Sequence, residues 1–593
     1  MIVILIYVDT LSGPFIFDDM PNIRDNPHIR LTHLSLVDLT HVIIKSRAPN
    51  RPVANITFAL NYYIHRYNVV GYHLVNILIH LSCGLLLYLL VKSTLHVTRP
   101  GASSKYEQWI PFFTALLWMV HPLQTQSISY IVQRMNSMAA MFYILSLLLF
   151  IKFRMATASK RKWLLLGGCI LSGFLALGTK ENAATLPFFI FLYEWFFFQK
   201  LSLHWLKRHA FMLTAIVITF ALVAGVYIAV NQLQKIDLGY SLRDFTVSQR
   251  LLTELRVVIF YVSLLFWPQP SRLNLDHDFS LSHSLFQPPT TAICLVIILA
   301  SIVLAIYFAK RDQLLSFCVI WFFGNLVIES SVIGLELVFE HRTYLPSMLG
   351  VLLAVVVVFR VIKPQWLGIG FLCLAAALGS IWTFQRNQVW TDDIALWRDC
   401  VKKSPQKARA YNNLAQALAR QGNFNDATAN YRVALELQPD YARAHYNLGV
   451  ILAKQGNLKK GISHLRTAVH IDPSSSEAQN NLGVALLIQG HLDAAIVHLE
   501  NALKITPYYA EAHNNLGKAM QLQGNLTKAV EHYQAAVHLD PDYAKAHTNL
   551  GIILKQMGRL EAAKQHLKKA LRLRPGYEEA RRNLEEILSL TNN

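Results

Sequence analysis

The stretch AQNNLGVALLIQGHLDAAIVHLENALKITP, residues 478–507, holds two amphipathic helical patterns with a glycine between them and a proline at its end. Its spacing recurs on both sides. Prolines stand at 405, 439, 473, 507, 541 and 575, each 34 residues after the last, and glycines at 422, 456, 490, 524 and 558 keep the same period. So do the small residues Ala427, Gly461, Ala495, Ala529 and Ala563, and the alanines at 434, 468, 502, 536 and 570.

A 34-residue period, with small residues where two helices touch and proline at the end of each unit, is the tetratricopeptide signature. Five repeats run from about 408 to 577, and a final helix over 577–590 closes the stack. Stacked repeats wind into a superhelix whose concave face is a binding groove. Asn413, Asn447, Asn481, Asn515, Asn549 and Asn583 recur at one position of each first helix, and Asn412, Asn480 and Asn514 double the amide in three repeats. An amide carries both donor and acceptor. Such a row suits either of two tasks: clamping the backbone of an extended acceptor peptide, or tying neighbouring repeats together.

Outward from the repeats the composition changes. The whole chain of 593 residues is 53% hydrophobic and 15% charged, with a mean hydropathy of +0.32; an average soluble chain is about 25% charged. An all-soluble chain and a disordered one are both excluded. The formal charge is +19, but 25 basic and 19 acidic residues lie from Thr391 onward, leaving 30 and 17 among long apolar runs. In a membrane chain that excess marks cytoplasmic loops, and no nucleic-acid partner is expected. Five of six cysteines lie in apolar segments, Cys400 stands outside them, and no CxxC pair occurs, so neither a disulfide framework nor a zinc site is indicated.

Candidate spanning runs lie at 72–92, 109–121 (short, continuing toward Pro122), 137–153, 163–179, 184–198, 210–230, 289–309, 315–333, 346–362 and 365–385. A first run, MIVILIYV, supplies half a span before Asp9; it lacks the basic region and cleavage site of a signal peptide. The loops 92–105, 154–162, 200–209, 310–311 and 360–363 are basic and read as cytoplasmic. The loops 13–71, 121–136, 180–183, 231–288 and 334–345 then face outward. Residues 251–267 contain Glu254 and Arg256 and end at Trp-Pro-Gln-Pro. They would break parity as a span and read as re-entrant or interfacial. The expectation is an all-α protein: a polytopic helix bundle of about eleven spans over 1–390, a junction at 391–407, and an outward α-solenoid over 408–593.

The outward loops gather ionisable groups beside the membrane. In GPFIFDDMPNIRDNPHI, Asp18 and Asp19 follow an aromatic-apolar run, where paired carboxylates suit general-base work. NRPVANITFALNYYIHRYNVVGYHLVN (50–76) is aromatic-rich and amphipathic, as for a segment lying along the outer membrane surface. HPLQTQSISYIVQRMNSMAA (121–140) carries His121, Gln124, Gln133 and Arg134 at the outer rim of two spans. LGTKENAATLP sets Lys180 and Glu181 between two apolar helices, a costly place that is usually functional. NLDHDF holds Asp276, and EHRTYLPS holds Glu340, His341, Arg342 and Tyr344. The Arg342 fork matches phosphate oxygens. No HExxH-type metal spacing and no phosphate-binding glycine loop is present, which argues against nucleotide-driven chemistry.

These motifs in this order, FIFDD, NRPVANITFALNYY with GYHLVN, HPLQTQSISYIVQR, TKEN and HRTYLPS, followed by tetratricopeptide repeats, resemble the transmembrane and tetratricopeptide-repeat O-mannosyltransferase family. That family belongs to the C-type fold of membrane glycosyltransferases. The resemblance covers essentially the whole chain, and the compactness of the loops suggests a bacterial member. It implies inverting transfer of mannose from a polyprenyl-phosphate sugar to Ser/Thr hydroxyls of a translocated protein, with no cofactor or metal beyond the lipid-linked donor. Asp18 would be the base, with Asp19 positioning the acceptor or sharing the role. Arg342, Arg134 and Lys180 would bind the donor phosphate, with Glu181, His121, His341, Tyr344 and Asp276 in support. The protein would be integral to the inner membrane of a bacterium with periplasmic or extracellular repeats, or to the endoplasmic reticulum with lumenal ones. Two alternatives remain: a non-enzymatic membrane adaptor, and a lipid-linked glycan ligase.

Overall fold

In a bilayer every backbone N–H and C=O must be satisfied inside its own segment, so apolar runs become helices. In the computed structural model, which describes residues 1–98, 108–211, 214, 240 and 243–591, the named secondary-structure elements are all helical, apart from an isolated bridge between Ser284 and Gln287. The span expected at 210–230 and much of the basic loop at 92–105 lie outside the described residues. The chain forms two compact units, divided after Pro405.

The first unit begins with α1 (Ile2–Tyr7) and a 3-10 turn, Val8–Ser12. After a long loop come α2 (Leu36–Lys45), α3 (Pro52–His65) and α4 (Val69–Thr98). Next are α5 (Trp109–Met119), the short α6 (Thr125–Ser129), α7 (Arg134–Met155), α8 (Ser159–Leu177) and α9 (Leu186–Tyr193). The later helices are α10 (Val247–Phe266), α11 (Thr290–Phe308), α12 (Gln313–Gly324), α13 (Pro346–Val361), α14 (Gln365–Gln388) and α15 (Asp393–Lys403). α4 packs on α5 and α7, α7 on α8, and α13 on α5 and α12.

Among the described residues four helical stretches are long and apolar enough to cross a membrane: Val69–Thr98, Ile131–Met155, Thr290–Phe308 and Gln365–Thr391. α5, α12 and α13 are shorter; eleven residues rise about 16 Å against a hydrocarbon core of about 30 Å. α5 stops where His121-Pro122 begins a series of short turns, and the residues from Pro122 to Val132 are buried rather than lying on an outer rim. The segment expected to be re-entrant is one continuous 20-residue helix, α10. It turns Glu254 inward, where Arg250 and Arg342 meet it, whereas Arg256 stays part-exposed and donates to the Ser280 carbonyl at 2.9 Å.

The junction expected at 391–407 is not a bare linker. Asp392 caps α15 by accepting from the Ala395 N–H at 3.0 Å, and Ile394, Leu396, Trp397 and Cys400 are buried in the first unit. Phe17 meets Trp397 at 5.7 Å, Tyr130 meets Trp390 at 5.8 Å, Lys403 donates to the Leu273 carbonyl at 2.7 Å, and the His341 N–H donates to Gln126 Oε1 at 2.7 Å. Segments 13–26, 121–136, 270–278, 336–344 and 387–405 therefore meet at one end of the bundle, and the chain leaves the bundle there.

The second unit is five helix pairs: Ala408–Arg420 with Phe424–Leu437, Ala442–Lys454 with Leu458–Ile471, Ser476–Gln489 with Leu492–Ile505, Ala510–Leu522 with Leu526–Leu539, and Ala544–Gln556 with Leu560–Leu573. Glu578–Thr591 closes the stack. The periodic glycines sit just past each first helix at φ between +75° and +88°, a conformation that costs other residues. The small residues let paired helices approach: a Cβ on Gly449 would stand 2.9 Å from the Gly461 carbonyl oxygen.

Candidate active site

The Asp pair follows a strained turn. Phe17 holds φ at +42°, a left-handed conformation that costs a non-glycine residue roughly 1–2 kcal/mol, and its ring packs on Trp397. Strain of this kind persists where surrounding structure over-determines it. Asp19 supplies that determination. It is fully buried, its Oδ2 accepting from the Ile16 N–H at 3.0 Å and its Oδ1 from the Val132 N–H at 2.6 Å. Asp19 thus fastens the first loop to the 130–134 segment. Burial pushes its carboxyl well above the usual range, against the pull of those two N–H donors, and the neighbouring Asp18 charge pushes the same way.

Asp18 is half-buried. Its N–H donates to the Tyr130 hydroxyl at 2.8 Å, and the same hydroxyl hydrogen-bonds the Asp18 side chain. The adjacent carboxylates therefore have different surroundings: Asp19 is enclosed and bonded to backbone, and Asp18 reaches the surface beside a fixed phenol.

Six residues along the chain from Tyr130, Asn136 begins a second cluster. Its Oδ1 accepts from Lys180 Nζ at 3.0 Å and its Nδ2 donates to the His341 carbonyl at 2.6 Å. Lys180 Nζ also meets Glu329 Oε1 at 2.5 Å. His341 Nδ1–H donates to Gln126 Oε1 at 3.1 Å. Burial, then the charges of Lys180, Arg342 and Arg51, holds its imidazole well below the usual histidine range, so it is neutral at physiological pH. Arg342 lies behind, donating to the Leu337 and Glu336 carbonyls with Glu254 at 3.6 Å, and Arg250 pairs with Glu254 at 2.9 Å.

The sequence-derived residues thus divide. Asp18, Asp19 and Arg134 come together through 130–134, and Lys180, His341 and Arg342 through Asn136 and Glu329. Arg134 is fully buried and spends its guanidinium on Asn76 Oδ1 at 2.8 Å and on the carbonyls of Tyr72 and Thr57, so it binds α3, α4 and α7 together. Glu181 does not pair with Lys180 but with Arg51, at 3.0 Å. Tyr344 lies deep in the bundle, its hydroxyl on His80 Nδ1 at 2.8 Å. His121 holds the Leu265 carbonyl at 3.0 Å. Asp276 is buried, and Ser404 Oγ donates to its backbone carbonyl at 2.7 Å. Tyr130, Asn136, Arg51, Glu254 and Glu329 were not singled out as site residues. The available signal was Glu329 inside an apolar run and Arg51 in NRPVAN, but the partners lie far away in sequence.

In the repeats, Asn447, Asn515 and Asn549 donate through Nδ2 to Asn412, Asn480 and Asn514 of the preceding repeat at 3.0, 3.0 and 2.8 Å. Asn481 donates to the Tyr446 hydroxyl at 3.0 Å, and Asn583 accepts from Lys555 at 2.7 Å. Asn413 accepts from Asn412 at 3.1 Å. The tying role is therefore present. Among the described residues no group of three or more His, Cys, Asp or Glu is placed to hold a metal ion.

Family models for the tetratricopeptide repeat match residues 394–442, 412–476 and 544–577, and a TPR-repeat model matches 485–524 and 522–558. The chain is similar to the protein O-mannosyl-transferase Tmtc3 of Drosophila melanogaster, 27% identical over 500 residues, covering 72% of this chain and 53% of that protein. It is 26% identical over 442 residues to the protein O-mannosyl-transferase F38B6.6 of Caenorhabditis elegans, covering 72% of this chain and 60% of that one. The human protein O-mannosyl-transferase TMTC2 is 29% identical over 206 residues, 33% of this chain and 23% of that one. The chain spans 53% and 60% of the lengths of the Drosophila and Caenorhabditis proteins. Among solved structures, YrrB, described as a TPR protein with an unusual peptide-binding site, is 24% identical and covers 31% of this chain and 95% of its own, with a TM-score of 0.27. MamA is 27% identical and covers 27% and 94%, with a TM-score of 0.25.

Proposed function

We propose that the chain is a membrane glycosyltransferase that moves mannose from a polyprenyl-phosphate donor to Ser/Thr hydroxyls of translocated proteins, inverting the anomeric centre. The names of the relatives support the reaction class. The observation that carries the reading is Asp18: half-buried, beside the Tyr130 hydroxyl, in a loop that Asp19 holds rigid.

The Asp18 carboxylate takes the hydroxyl proton as the Ser/Thr oxygen attacks the anomeric carbon from the face opposite the phosphate. The new C–O bond forms as the bond to the phosphate oxygen breaks, and the polyprenyl phosphate leaves with that electron pair. Lys180, at the end of the 130–136 run nearest the second cluster, places a fixed cation where negative charge grows. Arg342 and Arg134, enclosed and bonded to carbonyls, hold the walls.

The repeats hold the acceptor. Each Asn tie uses one N–H of the donor amide, and an amide has a second N–H and carbonyl lone pairs to offer a peptide backbone. We take the repeats and Asp18 to share one side of the membrane, as the distribution of basic loops implies. We place that side in the lumen or periplasm.

The test is transfer by the full chain in membranes supplied with polyprenyl-phosphate mannose. Asp18→Asn at normal expression abolishes transfer; unchanged transfer refutes the base role. No transfer by the unaltered chain with any polyprenyl donor favours an adaptor. Protease added outside sealed membrane vesicles of known orientation reports the side of the repeats.

A further inference from the structure

The second cluster has one member unlike the rest. Glu181 is 40% exposed and Arg51 31%, whereas the Lys180 and Glu329 side chains are 10% and 7% exposed. Three donors converge on this one carboxylate: Arg51 Nε at 3.1 Å from Oε2, Arg51 Nη2 at 3.0 Å, and Asn50 Nδ2 on Oε1. Arg51 is also the residue preceding α3, whose first turn has Pro52 and no side-chain cap. The field at a helix N-terminus favours an anion there. Lys180 adjoins Glu181 in the chain, and with Arg342 its charge is felt on the same His341 ring as that of Arg51.

The charge balance points the same way. Arg51, Lys180, Arg342 and Arg250 face Glu181, Glu329 and Glu254. Glu329 and Glu254 are enclosed between their cations, and only Glu181 can swing out to water. When it does, Arg51 presents an empty fork beside a second cation, the geometry that binds phosphate oxygens bidentately. The position suits the reaction. Arg51 Nη1 lies 3.4 Å from Met135 Sδ, on the run whose Tyr130 holds Asp18 and whose Asn136 holds Lys180.

We propose that Glu181 is a placeholder: its carboxylate occupies a phosphate site formed by Arg51, Asn50 and Lys180, and a phosphate ester displaces it on binding. This rests on the donor reading above for the identity of the ester, but the site itself is measured by binding, whether or not transfer occurs.

The full chain in nanodiscs is titrated with a short-chain polyprenyl phosphate, with inorganic phosphate, and with phosphatidylglycerol in the disc. Glu181→Ala tightens binding about three- to tenfold, Arg51→Ala weakens it about tenfold or more, and the double variant behaves like Arg51→Ala. Arg51→Lys, which keeps the charge and loses the fork, falls between the unaltered chain and Arg51→Ala. Polyprenyl phosphate following this pattern assigns the donor. Inorganic phosphate alone or phosphatidylglycerol alone following it supports the site and names a free phosphate or a bilayer headgroup as its source. Two results overturn the proposal: Glu181→Ala weakening binding as Arg51→Ala does, or neither variant changing binding while melting temperatures stay normal. Either means an ordinary ion pair. If transfer fails in the unaltered chain while the pattern holds, the donor reading falls and the phosphate site stands.

Discussion

Replacing Asp19 by Asn exchanges one buried oxygen for an amide nitrogen at constant size. Both oxygens now accept from backbone, Oδ2 from Ile16 and Oδ1 from Val132. An Asn side chain accepts only one of these and turns its NH2 toward the other N–H. One hydrogen bond is lost, worth about 1–1.5 kcal/mol, and a buried N–H is left opposed, costing about 1–3 kcal/mol, so the change totals about 2–4 kcal/mol. Asp18→Asn removes no backbone anchor of this kind and leaves melting unchanged. Thermal unfolding in nanodiscs, read beside mannose transfer, separates the two carboxylates: Asp19→Asn lowers both, and Asp18→Asn lowers transfer alone. The sign of the pH effect follows from burial, which raises the Asp19 pKa in the folded state. Its stabilisation is complete below the unfolded value of about 3.9 and is lost as pH rises through the elevated folded value. The melting gap between the unaltered chain and Asp19→Asn is therefore widest in acid. Equal melting for the two chains across that pH range, with transfer abolished by Asp19→Asn, refutes an anchoring role and makes Asp19 a chemical participant.

Tyr130→Phe removes the hydroxyl that accepts from the Asp18 N–H; kcat for transfer falls with melting little changed. Glu329→Gln leaves Lys180 buried without its carboxylate, costing about 3–5 kcal/mol, and Lys180→Met in the same chain recovers most of that loss in a melting-temperature double-mutant cycle. His445–His464, His513–His532 and His547–His566 pair through Nδ1 at 3.0–3.1 Å. Burial, then the partner ring, lowers the pKa of His464, His532 and His566, so their stabilisation is present above about pH 6.5 and lost as pH falls through the folded values. Protection factors for hydrogen exchange across 406–591, corrected for the intrinsic rate at each pH, fall in mild acid, and glutamines at 464, 532 and 566 blunt the change.

The repeats were legible because their determinants are local. Gly490 ends a helix through its own φ of +88°, and Gly449 and Gly461 touch across a single hairpin. The Asn row was legible as a pattern, but not which of its tasks it performs: that depends on Asn549 reaching Asn514 across a repeat boundary. In the bundle, the DD motif and TKEN were visible as charges in costly places, yet Lys180 was set beside Glu181 when its partner is Glu329, 149 residues on. Glu254 in α10 looked like an interruption because the distant cation it meets is Arg342, and the backbone carbonyls that Arg250 meets also come from 329–336.

The sequence by itself determined the helical class, the 34-residue period, the apolar runs and the patches of ionisable residues between them, since periodicity and hydropathy act within a helix or between neighbours. Only the tertiary structure decided which carboxylate is enclosed and which reaches the surface, that Arg134 reaches Asn76, that Lys180 pairs with Glu329, and that Arg51 faces Glu181. Those outcomes depend on residues 58 to 149 positions apart meeting at one end of the bundle, where burial and the nearest opposite charge, rather than residue type, set what each group can do.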